Sequence, residues 1–334
     1  MTFVTARGEI FKVRVNAVPP PPGGLLADAV ASLAVGSAAN FPIPTWNAAW
    51  GSVLTQTTRF HWDPAAAVAW LWGQDAGYGS LIRYDAAANA FARVYHGAVA
   101  DWGGTASGRA YDSSCLDNDG AFYIMPPDGQ LRRFNGSTFD AIGTPQAAAS
   151  THFGLGFHLN LYGSGQHGFI AVRGSYIRHM PKAGGTWSPI SGGSAAAGTN
   201  YASALYVPAW GGMSVTQGAA GTSVFTVNPG ASPGRAARGI GLPISCSATA
   251  GANTARIFPS PNRAMILENA VSGQVWHDTT AAGPYALQTY THPLQLTDGN
   301  WAAAYLSTFG VFWSLRTQAG STPSSILWRP GSGS

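Results

Sequence analysis

One short apolar strand pattern recurs six times along the chain, and each copy ends in Asp, Asn or a residue that replaces them. The last residues of successive copies are 45 to 52 positions apart. The copies are Ser80–Asp85, Gln130–Asn135, Ser175–Met180, Ser223–Asn228, Gly273–Asp278 and Ser325–Pro330. A propeller blade of four short strands needs about 40 to 50 residues. The recurrence therefore predicts an all-β chain of six similar sheets, with this strand third in each.

The segments around each copy supply the other strands of a blade. In the first copy, the apolar stretches Arg59–Asp63 and Val68–Trp72 precede the repeat strand, and Phe91–Val94 follows it. In the second copy, Asp-Gly turns at 119–120 and 128–129 separate the strands, as hairpins require. The sequence thus predicts a six-bladed β-propeller over residues 25–334.

The sixth copy has no fourth strand after Ser325–Pro330. An open blade would leave an unpaired sheet edge, which closed β architectures avoid. The aromatic and apolar stretch Trp46–Leu54 lies just before the first blade. We expect a segment within Phe41–Leu54 to complete the sixth sheet, so that an N-terminal strand closes the ring.

Residues 25–40 are rich in Ala and are compatible with two structures. Leu26, Val30 and Leu33 fall on one face of a helix. The Ala and Ser residues also suit a closely packed inner strand of a propeller. The sequence leaves both structures open.

Residues 1–24 form a predicted N-terminal extension. The apolar and polar alternation around Phe11 indicates a half-buried strand, and Arg7-Gly8 allows a turn back to Phe3–Thr5. Pro19–Pro22 and two following glycines make a stiff spacer that ends flexibly. We expect this short β-hairpin to dock on another protein, although it could also fold back on the propeller. The docking residues would be Phe3, Ile10, Phe11, Val13 and Val15.

The composition limits the possible partners. Only 10% of residues are charged, and the net charge of +4 comes from dispersed arginines rather than a basic run. A nucleic-acid partner is therefore not expected. The first residues lack the apolar core of a signal peptide, and no apolar run approaches the ~18 residues of a membrane span. We expect a chain that is made in a cytoplasm without a membrane span.

No residue pattern indicates catalysis, a metal or a cofactor. Glu268 is the only Glu within the predicted propeller, so a pair of catalytic Glu residues is excluded. The acidic group Asp117–Asp119 lacks a closing Glu and is interpreted as a turn rather than a calcium loop. The two cysteines, Cys115 and Cys246, are expected to be buried free thiols. The eight histidines form no metal-binding spacing; they are His61, His96, His152, His158, His167, His179, His277 and His292.

Aromatic residues are abundant, with 12 Trp and 12 Tyr. Most are expected between the blades. Tyr78, Trp102 and Trp210 fall in predicted loops, where they could stack on a sugar ring or contact a protein, or simply fill the core. These three are the candidate glycan-contact or partner-contact residues.

The repeat resembles that of kelch-like propellers. The resemblance rests on blade-length repeats, the pairs Gly103-Gly104 and Gly211-Gly212, and an aromatic residue in the fourth strand; it covers residues 41–330. It implies a fold and no particular activity. Sialidases are also six-bladed, but Gly184–Trp187 matches only the end of their repeated turn.

The combination of these features resembles structural proteins of tailed bacteriophages, such as a tail fibre, tail-tip or head appendage. That resemblance implies a non-enzymatic virion protein, released by lysis, within a symmetric oligomeric assembly. It would dock on other virion proteins through residues 1–24 and expose the propeller to neighbours or a host-surface glycan. The alternatives are a carbohydrate-binding, lectin-like module and, with less support, a sialidase-like or glycosidase-like hydrolase.

Overall fold

A computed structural model of the chain describes most of the predicted strands. The described residues are 2–4, 10–12, 25–43, 45–50, 53–54, 59–75, 77–104, 113–146, 154–161, 166–173, 176–190, 203–207, 212–216, 223–228, 234–241, 254–260, 263–270, 273–280, 287–291, 293–294, 301–316 and 323–331.

The N-terminal hairpin predicted from the sequence is present as a two-stranded antiparallel sheet. It consists of β1 (Thr2–Val4) and β2 (Ile10–Lys12), with Phe3 directly opposite Phe11. Val13 and Val15 lie outside the described residues. After the hairpin come helix α1 (Leu25–Ala31) and strand β3 (Ala38–Asn40). Among the described residues, no helix has the length and apolar character needed to span a membrane.

Six four-stranded antiparallel sheets follow the order of the repeats. Sheet 1 consists of β4 (Arg59–Asp63), β5 (Val68–Asp75), β6 (Tyr78–Asp85) and β7 (Ala90–Ala98). Sheet 2 consists of β8 (Ser114–Leu116), β9 (Phe122–Ile124), β10 (Leu131–Phe134) and β11 (Phe139–Ile142). Sheet 3 consists of β12 (Gly154–Leu161), β13 (Gln166–Arg173), β14 (Tyr176–Pro181) and β15 (Ser188–Pro189). A single helical turn, α2 (Val99–Trp102), follows β7.

The remaining sheets have the same plan. Sheet 4 consists of β16 (Ser203–Val207), β17 (Gly212–Thr216), β18 (Ser223–Asn228) and β19 (Gly234–Gly241). Sheet 5 consists of β20 (Thr254–Ser260), β21 (Arg263–Ala270), β22 (Gly273–Thr280) and β23 (Leu287–Thr291). Sheet 6 consists of β24 (Trp301–Leu306), β25 (Val311–Arg316), β26 (Ser324–Trp328) and β3. The recurring strand is third in all six sheets, as predicted.

The first strands of successive sheets contact one another in a complete circle. The contacts run from β4 to β8, β12, β16, β20 and β24, and β24 in turn contacts β4. A set of sheets whose last member meets its first is a closed propeller, an architecture that leaves only short and protected sheet edges. The prediction of an all-β propeller closed by an N-terminal strand is confirmed.

The side chains of β5 pack against both neighbouring sheets. In β5, Trp72 belongs to a buried cluster with Phe122 of sheet 2, whereas Leu71 belongs to a cluster with Trp313 of sheet 6. Successive residues of a strand point to opposite faces. A strand that is apolar throughout is therefore what a blade with neighbours on both sides needs.

The Asp or Asn that ends the repeat strand has a local structural role. Oδ1 of Asp85 accepts hydrogen bonds from the backbone N–H groups two and three residues later, at 3.0 and 3.1 Å. Oδ1 of Asn135 does the same at 3.0 and 2.9 Å. A short carboxylate or amide side chain can bond in this way to its own turn. The turn into the fourth strand is thus encoded at the repeat itself.

The closing strand lies just before the segment that the sequence indicated. β3 pairs with β26, with Ala39 opposite Leu327, and Phe41 N donates to Ser325 O at 2.9 Å. The prediction that Phe41–Leu54 supplies this strand was wrong in position. Its apolar residues pack into the core between sheets 6 and 1 instead; they include Phe41, Ile43, Trp46, Val53 and Leu54.

Helix α1 anchors the closing strand. Leu26, Val30 and Leu33 are all buried, so the helical alternative for residues 25–40 is correct for its first half. Arg329 Nη2 donates to the carbonyl of Val30 at 2.8 Å, and Arg329 N donates to Ser37 O at 3.0 Å. Contacts on both sides of β3 therefore hold it against sheet 6.

Candidate binding surface

An exposed aromatic residue begins β6, at the turn from β5. Tyr78 is 48% exposed, the highest value among the described Tyr, Trp and Phe residues. The preceding Gly77 has φ +90°, a conformation that favours glycine. Val99 N, at the start of α2, donates to Gly77 O at 2.9 Å. The backbone under Tyr78 is therefore fixed by α2.

The ring of Tyr78 stacks on the imidazole of His96 from β7. The ring centroids are 4.8 Å apart and the planes are inclined by 18°. His96 Nδ1 is hydrogen-bonded to the buried Ser80 Oγ at 2.9 Å, and these two residues are directly opposite in the sheet. This hydrogen bond sets the plane of the imidazole, and the imidazole sets that of the phenol ring. We call this pair the Tyr78–His96 platform.

The strands that carry the platform are packed tightly on their other face. A Cβ atom on Gly79 would lie 2.5 Å from Cη2 of Trp72 and 2.7 Å from Nε1 of Trp102. Trp72 and Trp102 meet edge to face with centroids 5.2 Å apart. Because both indoles are fully buried, the backbone between Tyr78 and Ser80 rests on a rigid layer.

Trp102, a predicted contact residue, does not reach the surface. It ends α2 and has no exposed surface, because the helical turn directs its indole onto Trp72. Gly103 then reverses the chain with φ +78°. The prediction of a glycan or partner contact at Trp102 is therefore wrong; its role is packing.

A charged pair, Arg132 with Asp128, lies at the end of α2. Arg132 donates to both carboxylate oxygens of Asp128, with Nη1 2.8 Å from Oδ1. The pair packs against the end of α2, since a Cβ on Gly103 would meet Asp128 and Arg132 atoms. Burial raises the pKa of the nearby Tyr95, Asp101 raises it further, and Arg132 opposes this rise.

Sequence reasoning identified one half of the platform. Tyr78 was predicted from its position between two glycines, whereas His96 was only one of eight histidines without a motif. The register that begins at Asp85↔Ala90 would place Tyr95 opposite Ser80. The irregularity between Leu81 and Ile82 shifts the pairing by one residue and places His96 there instead. Trp210 lies outside the described residues. Phe3, Ile10 and Phe11 are in the paired hairpin, and their docking role stays a prediction.

A lysine ammonium group lies at the acidic group Asp117–Asp119, which the sequence predicts to be a turn rather than a calcium loop. Lys182 Nζ lies 2.9 Å from Asp117 Oδ2 and also contacts Asp119. Asp117 accepts backbone hydrogen bonds within its own turn, from Asp119 N at 2.8 Å and Ala121 N at 2.9 Å. The hydrogen bond from Lys182 lowers the pKa of Asp119. The group is a turn that binds a side-chain cation of sheet 3.

Two histidines are buried within sheet 3. His158 has its ring 4.8 Å from that of Tyr206 in sheet 4, and burial lowers its pKa to about 4. Burial also lowers the pKa of His179. Cys115 is buried, as predicted, and Cys246 lies outside the described residues. Within the described part of the chain, no group of three or more His, Cys, Asp or Glu residues could hold a metal ion.

Comparison with solved structures finds other propeller-like chains. The SapL1 lectin in complex with alpha methyl fucoside is 12% identical, with a TM-score of 0.52 over 84% of this chain and 95% of the lectin. A putative TolB from Agrobacterium tumefaciens is 13% identical, with a TM-score of 0.45 over 82% of this chain and 90% of TolB. No protein-family model and no curated protein matches the sequence. The likeness to the lectin shows the fold.

Proposed function

We propose that this chain is a non-enzymatic binding protein whose propeller presents the Tyr78–His96 platform to carbohydrate. The single observation that supports this proposal is the half-exposed ring of Tyr78, held parallel to His96. An aromatic face offers the C–H side of a sugar ring a large contact area. A ring that is already held in place also loses little conformational entropy on binding.

The platform combines an aromatic phenol ring with a polar imidazole, which suits the same ligand class. A small-ligand site combines an apolar surface with a few placed polar groups. The imidazole of His96 is itself a polar group beside the Tyr78 ring, and the Arg132–Asp128 pair packs against the end of α2. The fold similarity to a lectin solved with alpha methyl fucoside agrees with a sugar ligand.

We further propose that the chain acts in the virion of a tailed phage, as a kelch-like tail fibre, tail-tip or head appendage. The low content of charged residues and the hairpin followed by a proline spacer support this role. The hairpin would attach to neighbouring virion proteins, and the propeller would face the host. Repeated copies on one particle would turn weak single contacts into strong attachment.

A glycan array tests the carbohydrate proposal. The labelled chain should be retained by a restricted set of glycans, and free glycan of the same type should displace it. Retention by none of them would overturn the proposal. The virion role is tested separately, by mass spectrometry of purified phage particles. A fixed copy number is expected, and absence from the particle would contradict it.

A further inference from the structure

Among the described residues, no strand pairs with the outer edge of sheet 6, and β3 itself carries no charged residue. β3 is the last strand of that sheet, and Ala38, Ala39 and Asn40 are all exposed. Val35, just before the strand, is 60% exposed, and Leu25 is 56% exposed. Proteins normally protect an edge strand with charged residues, proline or a bulge, because its free N–H and C=O groups pair readily with other strands.

The other outer strands with described side chains have such protection. β7 contains Arg93 and lies opposite an irregularity after Leu81. β11 contains Asp140, and β15 contains Pro189. β3 differs from these three in having no charged residue, proline or bulge.

The register shows which groups of β3 face outward. Phe41 N donates to Ser325 O, and Arg329 N donates to Ser37 O. Bonded and non-bonded pairs alternate in an antiparallel ladder. Residues 37, 39 and 41 therefore bond toward β26, and the N–H and C=O groups of Ala38 and Asn40 point away from the sheet.

The N-terminal hairpin matches this edge in length. β1 and β2 have three residues each, as does β3, and a two-stranded sheet alone is marginally stable in water. Charge near the β3 edge is limited to the exposed Asp28 of α1 and to Arg329, which donates to Val30 O. These two charges offset each other, so the match rests on the strand edges rather than on charge.

We propose that the hairpin of one copy adds to the β3 edge of a second copy of this chain. Within the chain, the hairpin forms its own sheet and β3 ends another, so the two are not paired with each other. Residues 13–24 span up to about 37 Å when extended, enough to reach a neighbour. Each copy then supplies a hairpin and receives one, and such head-to-tail contacts build rings when the rotation between copies closes and filaments when it does not. The proposal rests on the attachment role of the hairpin given above, and its attachment partner is a second copy of this chain.

Two single substitutions test separately the hairpin that is added and the β3 edge that receives it. Asn40→Pro removes an outward N–H and leaves the bonds to β26 in place, so the edge can no longer receive a strand. Phe11→Pro disrupts β2, so this variant has no intact hairpin to add to the β3 edge of another copy. Asn40→Thr is the matched control, because it changes the same side chain and keeps the N–H. Circular dichroism and the thermal midpoint verify that each variant remains folded.

Native mass spectrometry of the full chain across a dilution series tests the proposal. Wild type and Asn40→Thr should form oligomers, and Asn40→Pro and Phe11→Pro should each stay monomeric. A mixture of the two proline variants should give a one-to-one dimer, since each supplies what the other lacks. Monomeric wild type, oligomers in Asn40→Pro equal to those of wild type, or no dimer in the mixture would overturn it. The monomeric Asn40→Pro variant should still be retained by glycans. Loss of oligomers can therefore be distinguished from loss of carbohydrate binding.

Discussion

Lys182 of sheet 3 lies with its Nζ 2.9 Å from Oδ2 of Asp117 in sheet 2. The Asp117 side chain is 1% exposed, and Tyr123 OH also donates to its Oδ2, at 3.1 Å. A charge-assisted hydrogen bond to a buried carboxylate is among the stronger polar contacts. This pair therefore joins two blades that have no strand pairing with each other.

Removing the ammonium should weaken this junction. Lys182→Met keeps the aliphatic stem and leaves Asp117 with its turn hydrogen bonds, so we expect a loss of about 1–3 kcal/mol in the free energy of unfolding. Urea denaturation measures it. Asp119→Asn is the control, because the exposed Asp119 contributes little and its midpoint should stay near that of wild type. Equal midpoints for Lys182→Met and wild type would contradict the assignment.

Buried His158 should make the propeller sensitive to acid. Its pKa is about 4 in the folded state and 6.5 without burial, so the unfolded state binds more protons between these values. Stability is complete above pH 6.5 and declines as the pH falls toward 4, by about 3 kcal/mol for a shift of this size.

Denaturation midpoints of His158→Phe between pH 7.5 and 4 test this expectation. The phenyl ring keeps the contact with Tyr206 and does not titrate, so the decline should become shallower. The remaining slope would come from groups such as His179, whose pKa is also lowered. An unchanged slope would show that His158 is not the titrating group.

Gly79 should tolerate no side chain. The Cβ of Gly79→Ala would meet two packed indoles, Trp72 and Trp102, and overpacking of this kind costs about 1–3 kcal/mol. Gly331→Ala is the matched control, since its Cβ would have no atom within 4 Å. Thermal unfolding should show a clear decrease for the first variant alone. Equal decreases would indicate a general effect of replacing glycine.

The closing segment should depend on one face of α1. Leu26 is fully buried and its neighbour Leu25 is 56% exposed. Leu26→Ala should cost about 2–5 kcal/mol through the cavity it leaves, and Leu25→Ala should be nearly neutral. Urea midpoints compare the two directly. A larger effect at Leu25 would mean that α1 packs by another face.

The repeat strand was predictable because its signal is local. An apolar run and a turn residue such as Asp85 or Asn135 act within six residues, so the sequence alone indicates them. The closing strand was misplaced because Ala38–Asn40 has no strand-like composition; its pairing depends on Leu327, almost 300 positions away. Contacts such as Lys182 with Asp117 or Tyr78 with His96 arise from packing and register, which single-residue patterns do not encode.

The burial of Trp102 is a second feature that single-residue patterns do not encode. Its neighbours in sequence, Asp101 and two glycines, are typical of a loop. The structure places them in a helical turn whose capping geometry directs the indole inward. Exposure of a loop aromatic therefore depends on the turn that carries it, as the contrast with Tyr78 shows.

The most direct measurement is calorimetric titration of the best ligand from the glycan array into three proteins. Wild type and Tyr78→Phe should bind with similar affinity, because both present the ring that stacks. Tyr78→Ala should bind at least about tenfold more weakly, a loss of about 1.4 kcal/mol, with an unchanged thermal midpoint. Equal affinity for Tyr78→Ala and wild type would contradict the claim that the Tyr78–His96 platform is the carbohydrate-binding surface.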